Sequence, residues 1–330
     1  MNRGFTRLER VSHDGEAILR RNMDTRKVSA RVNTLSRLEA FQSCRRELVS
    51  LAYRMLGELA RAEDMVQEAW VRWERHAGEV DDAKAFLITI VTRLCLTELK
   101  SARARHEESR PDRLPEPVDL EEGGMAVERL EQVSMAFLVL LQRLTPAERA
   151  VLLLHDVFDL EHREIAELVG GTEVASRKQL ERARRHVAED RRMLVTSTEE
   201  HRRLLGLFVQ AATAGDVQAL VSYLADDAVM ITDGGSGGRS VGGQRNLPKP
   251  LQGASRVAAF VAATSQRTPA TFVVEARTLN GQPSVVFWDG DRAFAALQLA
   301  IADGKIQRVF FHADVSRLGH VGHREDTPAS

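Results

Sequence analysis

The sequence predicts a multi-domain protein: two all-α units, the second ending in a helix-turn-helix, followed by an α+β unit. Three observations predict it. Apolar residues recur at helical spacing through 37–110 and again through 126–192. A proline-bearing stretch, Arg110 to Gly124, separates these two blocks. In the last third the apolar runs shorten and are punctuated by Asn280-Gly281, Asp289-Gly290 and Asp303-Gly304, which are hairpin signals. A chain of 330 residues suits two or three domains.

Residues 1–36 are polar, mixed in charge and weakly periodic, and read as a disordered or loosely helical tail, with Met23 an alternative start. From Leu38 the helical pattern begins. Leu48, Leu51, Ala52, Met55 and Leu56 form one stripe; Met65, Val66, Ala69, Trp70 and Trp73 form another. Trp70 and Trp73 are read as core. A third helix starts near Asp81 and Asp82, acids suited to a helix N-terminus. Cys44 and Cys95 lack histidines at ligand spacing, so they are expected to be buried and reduced, with no metal. No apolar run approaches the ~20 residues that span a bilayer, and no signal-peptide core is present. A cytoplasmic protein without membrane contact is expected.

Residues 111–125 form the linker. Pro111, Pro115 and Pro117 forbid a helix there and extend their neighbours. In the second helical unit, 126–192, Thr145-Pro146-Ala147-Glu148 predicts a helix start closed by a capping box. Ile165, Ala166 and Leu168 bury one helix, Gly170-Gly171 turn the chain, and Val174, Leu180 and Ala183 are expected to bury the next. The α+β unit, 198–320, opens with helices over 199–213 and 217–224. A short strand, 228–232, a Gly-rich loop and a helix over 255–264 follow. It closes with an antiparallel meander in which Leu297, Leu299 and Ile301 alternate as a half-buried strand. Residues 321–330 read as a second tail.

Net charge is −1, so nucleic-acid contact requires local segregation of charge. The helix after Gly170-Gly171 supplies it. Thr172, Ser176, Arg177, Lys178 and Gln179 are expected to point outward near the helix start, where base edges are reached. Arg182, Arg184 and Arg185, further along, suit phosphates. A helix carrying Glu63, Asp64, Gln67 and Glu68 would repel DNA and suits a basic protein surface. Thr89 and Thr92 can hydrogen-bond flipped-out bases, and Arg93, Lys100, Arg103 and Arg105 can neutralise a single-stranded backbone.

Together these segments resemble the extracytoplasmic-function sigma factors of bacterial RNA polymerase. LVSLAYRMLGELARAEDMVQEAWVRW and AFLITIVTRLCLTELKSARAR are similar to that family's region 2, and the helix-turn-helix to its region 4. The resemblance implies docking of Glu63, Asp64, Gln67 and Glu68 on core polymerase (β′ clamp and β subunit). It implies −10 contacts from Thr89, Thr92, Arg93, Lys100 and Arg103, and −35 contacts from the last helix. Where relatives carry Cys-Leu-Asp before Arg, this chain has Cys95-Leu96-Thr97-Glu98-Leu99-Lys100, the acid displaced by one place.

The linker and the last unit resemble the SigJ-like group, whose SnoaL-like (NTF2-like) cone serves as a fused regulator. Leu114-Pro115-Glu116-Pro117 keeps the group's LPEP. The group's DGGGK loop corresponds to Asp233-Gly234-Gly235-Ser236-Gly237-Gly238-Arg239, longer and ending in Arg. Its NPDKL corresponds to Asp314-Val315-Ser316-Arg317-Leu318. Interdomain regulatory contacts are therefore expected from Leu114, Pro115, Glu116, Pro117, Asp233, Gly234, Gly235, Arg239, Asp314, Arg317 and Leu318.

A non-enzymatic promoter-recognition subunit is expected, without cofactor, monomeric when free, and compact until polymerase opens it. A small-molecule ligand in the C-terminal pocket stays open. Two alternatives stand beside this reading. One is a one-component helix-turn-helix regulator with a ligand-sensing domain. The other is an enzymatic C-terminal domain using Asp226, Asp227, Asp233 or His312. The Gly-rich loop lacks the Lys-Ser/Thr ending of a phosphate loop.

Overall fold

The computed structural model describes residues 37–78, 80–104, 113–119, 133–188, 193, 196–234, 247, 249–267 and 271–324. Three helices make the first unit: α1 (37–56), α2 (Leu59–Arg75) and α3 (Ala83–Ala104). Their apolar stripes meet as the periodicity requires. Leu48, Leu51, Ala52 and Met55 of α1 and Ala62, Val66, Ala69 and Trp73 of α2 are buried, while Trp70 is half-buried against Phe41 and Trp73. Gly57 joins α1 to α2 at φ +75°, a left-handed conformation that disfavours residues with a Cβ.

The second unit holds α4 (Met135–Gln142), α5 (Pro146–Asp156), α6 (His162–Val169) and α7 (Glu173–Ala188). Thr145 and Glu148 form the reciprocal capping box at α5 with Pro146 at the first position. Gly170 ends α6 in the left-handed conformation, φ +76°, and Thr172 caps α7 by accepting from the Ala175 N–H (3.2 Å).

The last unit is α+β: α8 (Thr198–Ala214), α9 (Val217–Tyr223), β1 (Leu224–Asp233), β2 (Leu251–Gln252), α10 (Ala254–Ser265), β3 (Val273–Leu279), β4 (Gln282–Asp289), β5 (Arg292–Ala302) and β6 (Lys305–His312). The sheet order is β2-β1-β6-β5-β4-β3. β3 to β6 form the expected antiparallel meander; Asn280-Gly281 and Asp303-Gly304 turn at positive φ, as two-residue hairpins require. The middle turn falls on Gly290 and Asp291, because Asp289 still pairs with Arg292. β1 is longer than expected and runs parallel to β6, a pairing the meander pattern did not contain.

One core joins all three units. Ile231, Ala300, Ala302 and Phe310 of the sheet pack with the buried residues of α1 to α7. A second core lies between the sheet and α8 to α10, built on Phe208, Leu220, Val257, Leu297, Leu299 and Ile301. Every residue of β5 after Arg292 is therefore buried. The half-buried strand expected from Leu297, Leu299 and Ile301 is corrected. The opposite face carries small side chains: the helical units cover Ala300 and Ala302, while Ala296 packs in a cluster with Trp288, Leu318 and Val321.

Candidate functional site: the linker clamp and the recognition helix

Residues 114–119 are buried in one continuous run. A buried extended segment must find partners for each backbone N–H. Pro115 and Pro117 remove two donors, and the rest are all bonded. The Leu114 N–H donates to Asp233 Oδ2 (3.0 Å), Glu116 to the Gly57 carbonyl (2.8 Å), Val118 to Asn280 Oδ1 (3.2 Å) and Asp119 to the His320 carbonyl (2.7 Å). The donors thus reach the α+β unit, then the first helical unit, then the α+β unit again. The carbonyls are held likewise. Tyr53 Oη donates to Glu116 (2.6 Å), the Asn280 N–H to Val118 (2.7 Å), and Arg317 to Leu114.

Two charged side chains lock this arrangement. Glu116 accepts from the Leu59 N–H (2.8 Å), which caps α2 from 57 residues away, where Glu58 makes no cap bond of its own. The other Glu116 oxygen meets His320 Nδ1. That bond lifts the His320 pKa above its ordinary value, against the opposing effect of burial. Arg317 bonds Asp233 (3.2 Å) and the Gly57 carbonyl (3.3 Å) and lies 3.6 Å from Glu58, which also pairs with Arg113 at 2.7 Å.

Of the expected interdomain residues, Leu114, Pro115, Glu116, Pro117, Asp233 and Arg317 therefore meet. Gly234 is buried beside Asp233. Asp314 shapes the turn that presents Arg317 by accepting from the Ser316 N–H (3.2 Å), and Leu318 packs with Trp288 and Val321. Gly235 and Arg239 lie outside the described residues. Sequence reasoning missed Tyr53, Gly57, Glu58, Asn280 and His320. Asn280 had a signal, the Asn-Gly dipeptide, but it was read only as a turn. Asn280 Nδ2 also donates to Tyr53 Oη (2.8 Å).

Helix α2 shows Asp64 and Gln67 to solvent, with Glu63 and Glu68 half-buried and turned toward Arg45 (3.9 Å) and Arg72 (2.7 Å). On α3, Lys100 is exposed and Thr89 partly so, its hydroxyl donating to the Ala85 carbonyl (2.9 Å). The Arg103 side chain and Arg105 lie outside the described residues. Thr92 is corrected: it is fully buried, on the inward stripe with Ile88, Cys95 and Leu99, and cannot present itself to a base. Arg93 is engaged by the second helical unit, donating to the Glu167 and Leu168 carbonyls at the C-terminus of α6 (both 3.3 Å). Arg149 makes a second such joint, from α5 to the Leu141 carbonyl (2.8 Å) and the Met55 carbonyl.

Thr172, just before α7, and Glu173, Val174, Arg177, Lys178, Glu181, Arg182, Arg184 and Arg185 on it are among the exposed residues, with Gln179 half-buried. Ser176 is corrected from outward to buried, 1% exposed, its hydroxyl 3.0 Å from His162 Nδ1. Val174 is corrected in the opposite sense: it is 63% exposed. The inward stripe is Ser176, Leu180 and Ala183. Arg182 pairs with Glu148 (3.4 Å), Arg184 with Asp156 (2.6 Å), Arg185 with Glu181 (2.9 Å) and Arg177 with Glu173. The pairs within α7, Arg177–Glu173 and Arg185–Glu181, are surface pairs that contribute only about 0–1 kcal/mol and do not hold those arginines back from phosphates. Arg184, in contrast, is held by two hydrogen bonds to Asp156, and the partner of Arg182, Glu148, is buried.

A cavity of about 720 Å³ lies between α8 and the β3–β4 hairpin, lined in part by Asp119, Arg202, Gln210, Glu275 and Arg277. Asp226 and Asp227 are exposed at the start of β1, Asp233 is taken up by the linker, and His312 is buried; none is among the lining residues.

The Sigma-70 region 2 family matches residues 40–105, and the Sigma-70 region 4 family matches residues 134–187. The chain is 35% identical over 283 residues to the ECF RNA polymerase sigma factor SigJ of Mycobacterium tuberculosis, a span that covers 81% of this chain and 88% of that protein. It is 34% identical over 286 residues to the probable ECF RNA polymerase sigma factor SigI of the same species, covering 84% and 93%. The crystal structure of M. tuberculosis SigJ superposes with a TM-score of 0.68 at 29% identity, covering 87% of this chain and all of that one. The two helical units are thus sigma regions 2 and 4, and the α+β unit is a SnoaL-like cone. The chain belongs to the ECF RNA polymerase sigma factors, and serves the initiation of transcription by binding core polymerase and promoter DNA.

Proposed function

We propose that this chain is a self-restrained sigma factor, held in a promoter-incompetent arrangement by its own cone until core polymerase draws the helical regions apart. The linker carries the reading. Its backbone bonds alternate between region 2 and the cone, while Arg93 of α3 is bonded to α6. Two promoter elements set apart on a duplex cannot both be read while the helices that read them are joined. The exposed side of α2, with Glu63, Asp64, Gln67 and Glu68, serves the β′ clamp, and region 4 serves the β subunit. Once released, Thr89, Arg93, Lys100 and Arg103 serve the −10 strand. Thr172, Arg177, Lys178 and Gln179 serve −35 base edges, and Arg182, Arg184 and Arg185 the phosphates.

The free protein is a cytoplasmic monomer. The cone is a regulator and not an enzyme, since Asp233 is committed to the linker. A small ligand in the cavity beside α8 would touch Asp119 at the end of the clamp, which gives it a route to the restraint.

Arg317→Ala tests the reading in transcription with purified core polymerase at limiting sigma factor. Charge-assisted hydrogen bonds contribute about 1.5–3 kcal/mol, so releasing them should raise output about ten-fold. Equal output from variant and wild type would remove the restraint. Failure of either protein to associate with core would remove the polymerase reading itself.

A further inference from the structure

Val174 has the most exposed large apolar side chain among the described residues, at 63%. It stands in the first turn of α7 and packs in no core. It does not cap the helix, a role filled by Thr172. A β-branched residue is a mediocre helix former, and its exposed methyl groups gain nothing in water. Its position does have a use. Val174, Arg177 and Lys178 lie at i, i+3 and i+4 on one solvent-facing side. In a helix-turn-helix the N-terminal residues of the second helix meet base edges in the major groove. The one apolar feature on those edges is the thymine C5-methyl group. Glu173 on the adjoining side is tied to Arg177, so the valine faces the groove beside a cation rather than a free carboxylate.

We infer that Val174 is a specificity-determining residue that selects thymine at one position of the upstream promoter element by packing its methyl groups on the thymine methyl. This rests on the proposal that α7 reads that element. The side chain touches nothing in the fold's cores, so replacing it leaves the protein intact.

The test uses holoenzyme reconstituted from this chain and core polymerase. A duplex library randomised through the upstream element gives the preferred sequence. Each preferred thymine is then replaced by deoxyuridine, which removes only the methyl group. Wild type is expected to lose roughly four-fold in affinity at one position, the worth of one buried methyl group. Val174→Ala is expected to bind thymine as weakly as wild type binds uracil there, and to make no distinction between the two. A sharp preferred sequence with wild type indifferent to every thymine methyl would overturn the inference alone, as would Val174→Ala keeping the thymine-to-uracil ratio. Enrichment of no sequence at all would overturn the groove reading of α7, and the inference with it.

Discussion

Glu116 shows how much one side chain can join: one oxygen caps α2, the other meets His320, and the backbone at the same residue bonds Gly57 and Tyr53. Because His320 has its pKa raised in the folded protein, its contribution is complete below the ordinary histidine value near 6.5 and is lost as pH rises through the raised value. The clamp should therefore loosen on the alkaline side. Limited proteolysis within 113–119 should speed up as pH rises, and His320→Gln should flatten that dependence. Two other histidines act in the opposite sense. Burial lowers His201 to about 4 and His312 to about 3, so both stay neutral in the fold. Their contribution is present above about 6.5 and is lost as pH falls toward those lowered values, about 1 kcal/mol each by pH 5.5. Denaturant midpoints should fall between pH 7 and pH 5.5, and less steeply in His201→Gln; an unchanged slope would count against the neutral buried imidazole.

At the scale of elements, the helix-turn-helix depends on Gly170. Its φ is +76° and a Cβ there would meet nothing within 4 Å, so Gly170→Ala carries only the backbone cost, about 1–2 kcal/mol. Chemical denaturation should register that loss. The same helix offers a measure of its DNA contact. Arg185 is exposed further along α7, where the phosphate contacts are proposed, and one such contact contributes about 0.9 to the slope of log affinity against log salt. Arg185→Ala should lower the slope by that amount and weaken all promoters alike; a loss confined to one base position would make Arg185 a base reader instead. Much of this level was legible in the chain. The capping box at Thr145, the double glycine and the hairpin dipeptides are local signals with local causes. The phase of α7 was not. With few apolar residues in the helix, Val174 drew the inward assignment on hydrophobicity, yet the packed position belongs to Ser176, which is small and has His162 to bond.

The molecule as a whole is organised by a core that runs from region 2 through region 4 into the sheet. Asn280 holds partners far away in sequence, reaching Tyr53 and Val118 from the tip of a hairpin. Asn280→Ala removes both side-chain bonds and puts a Cβ-bearing residue less tolerant of positive φ in the turn. Small-angle scattering of the free protein should then show a larger radius of gyration, and Asn280→Gly, which keeps the turn but also lacks the amide, should show the same expansion. A variant as compact as wild type would mean that the core alone holds the units together.

The order of the parts, the helical and β character of each, the proline-interrupted linker and the arginine-rich helix were all written in the sequence, because each depends on residues within a turn or two of one another. The tertiary structure alone decided that Thr92 points inward, that both faces of β5 are covered, and that Tyr53, Glu116, Asn280 and His320 form one bonded group. The physical reason is that a hydrogen-bonding side chain announces its need for a partner but not the partner's address, and here the partners lie as many as 260 residues away.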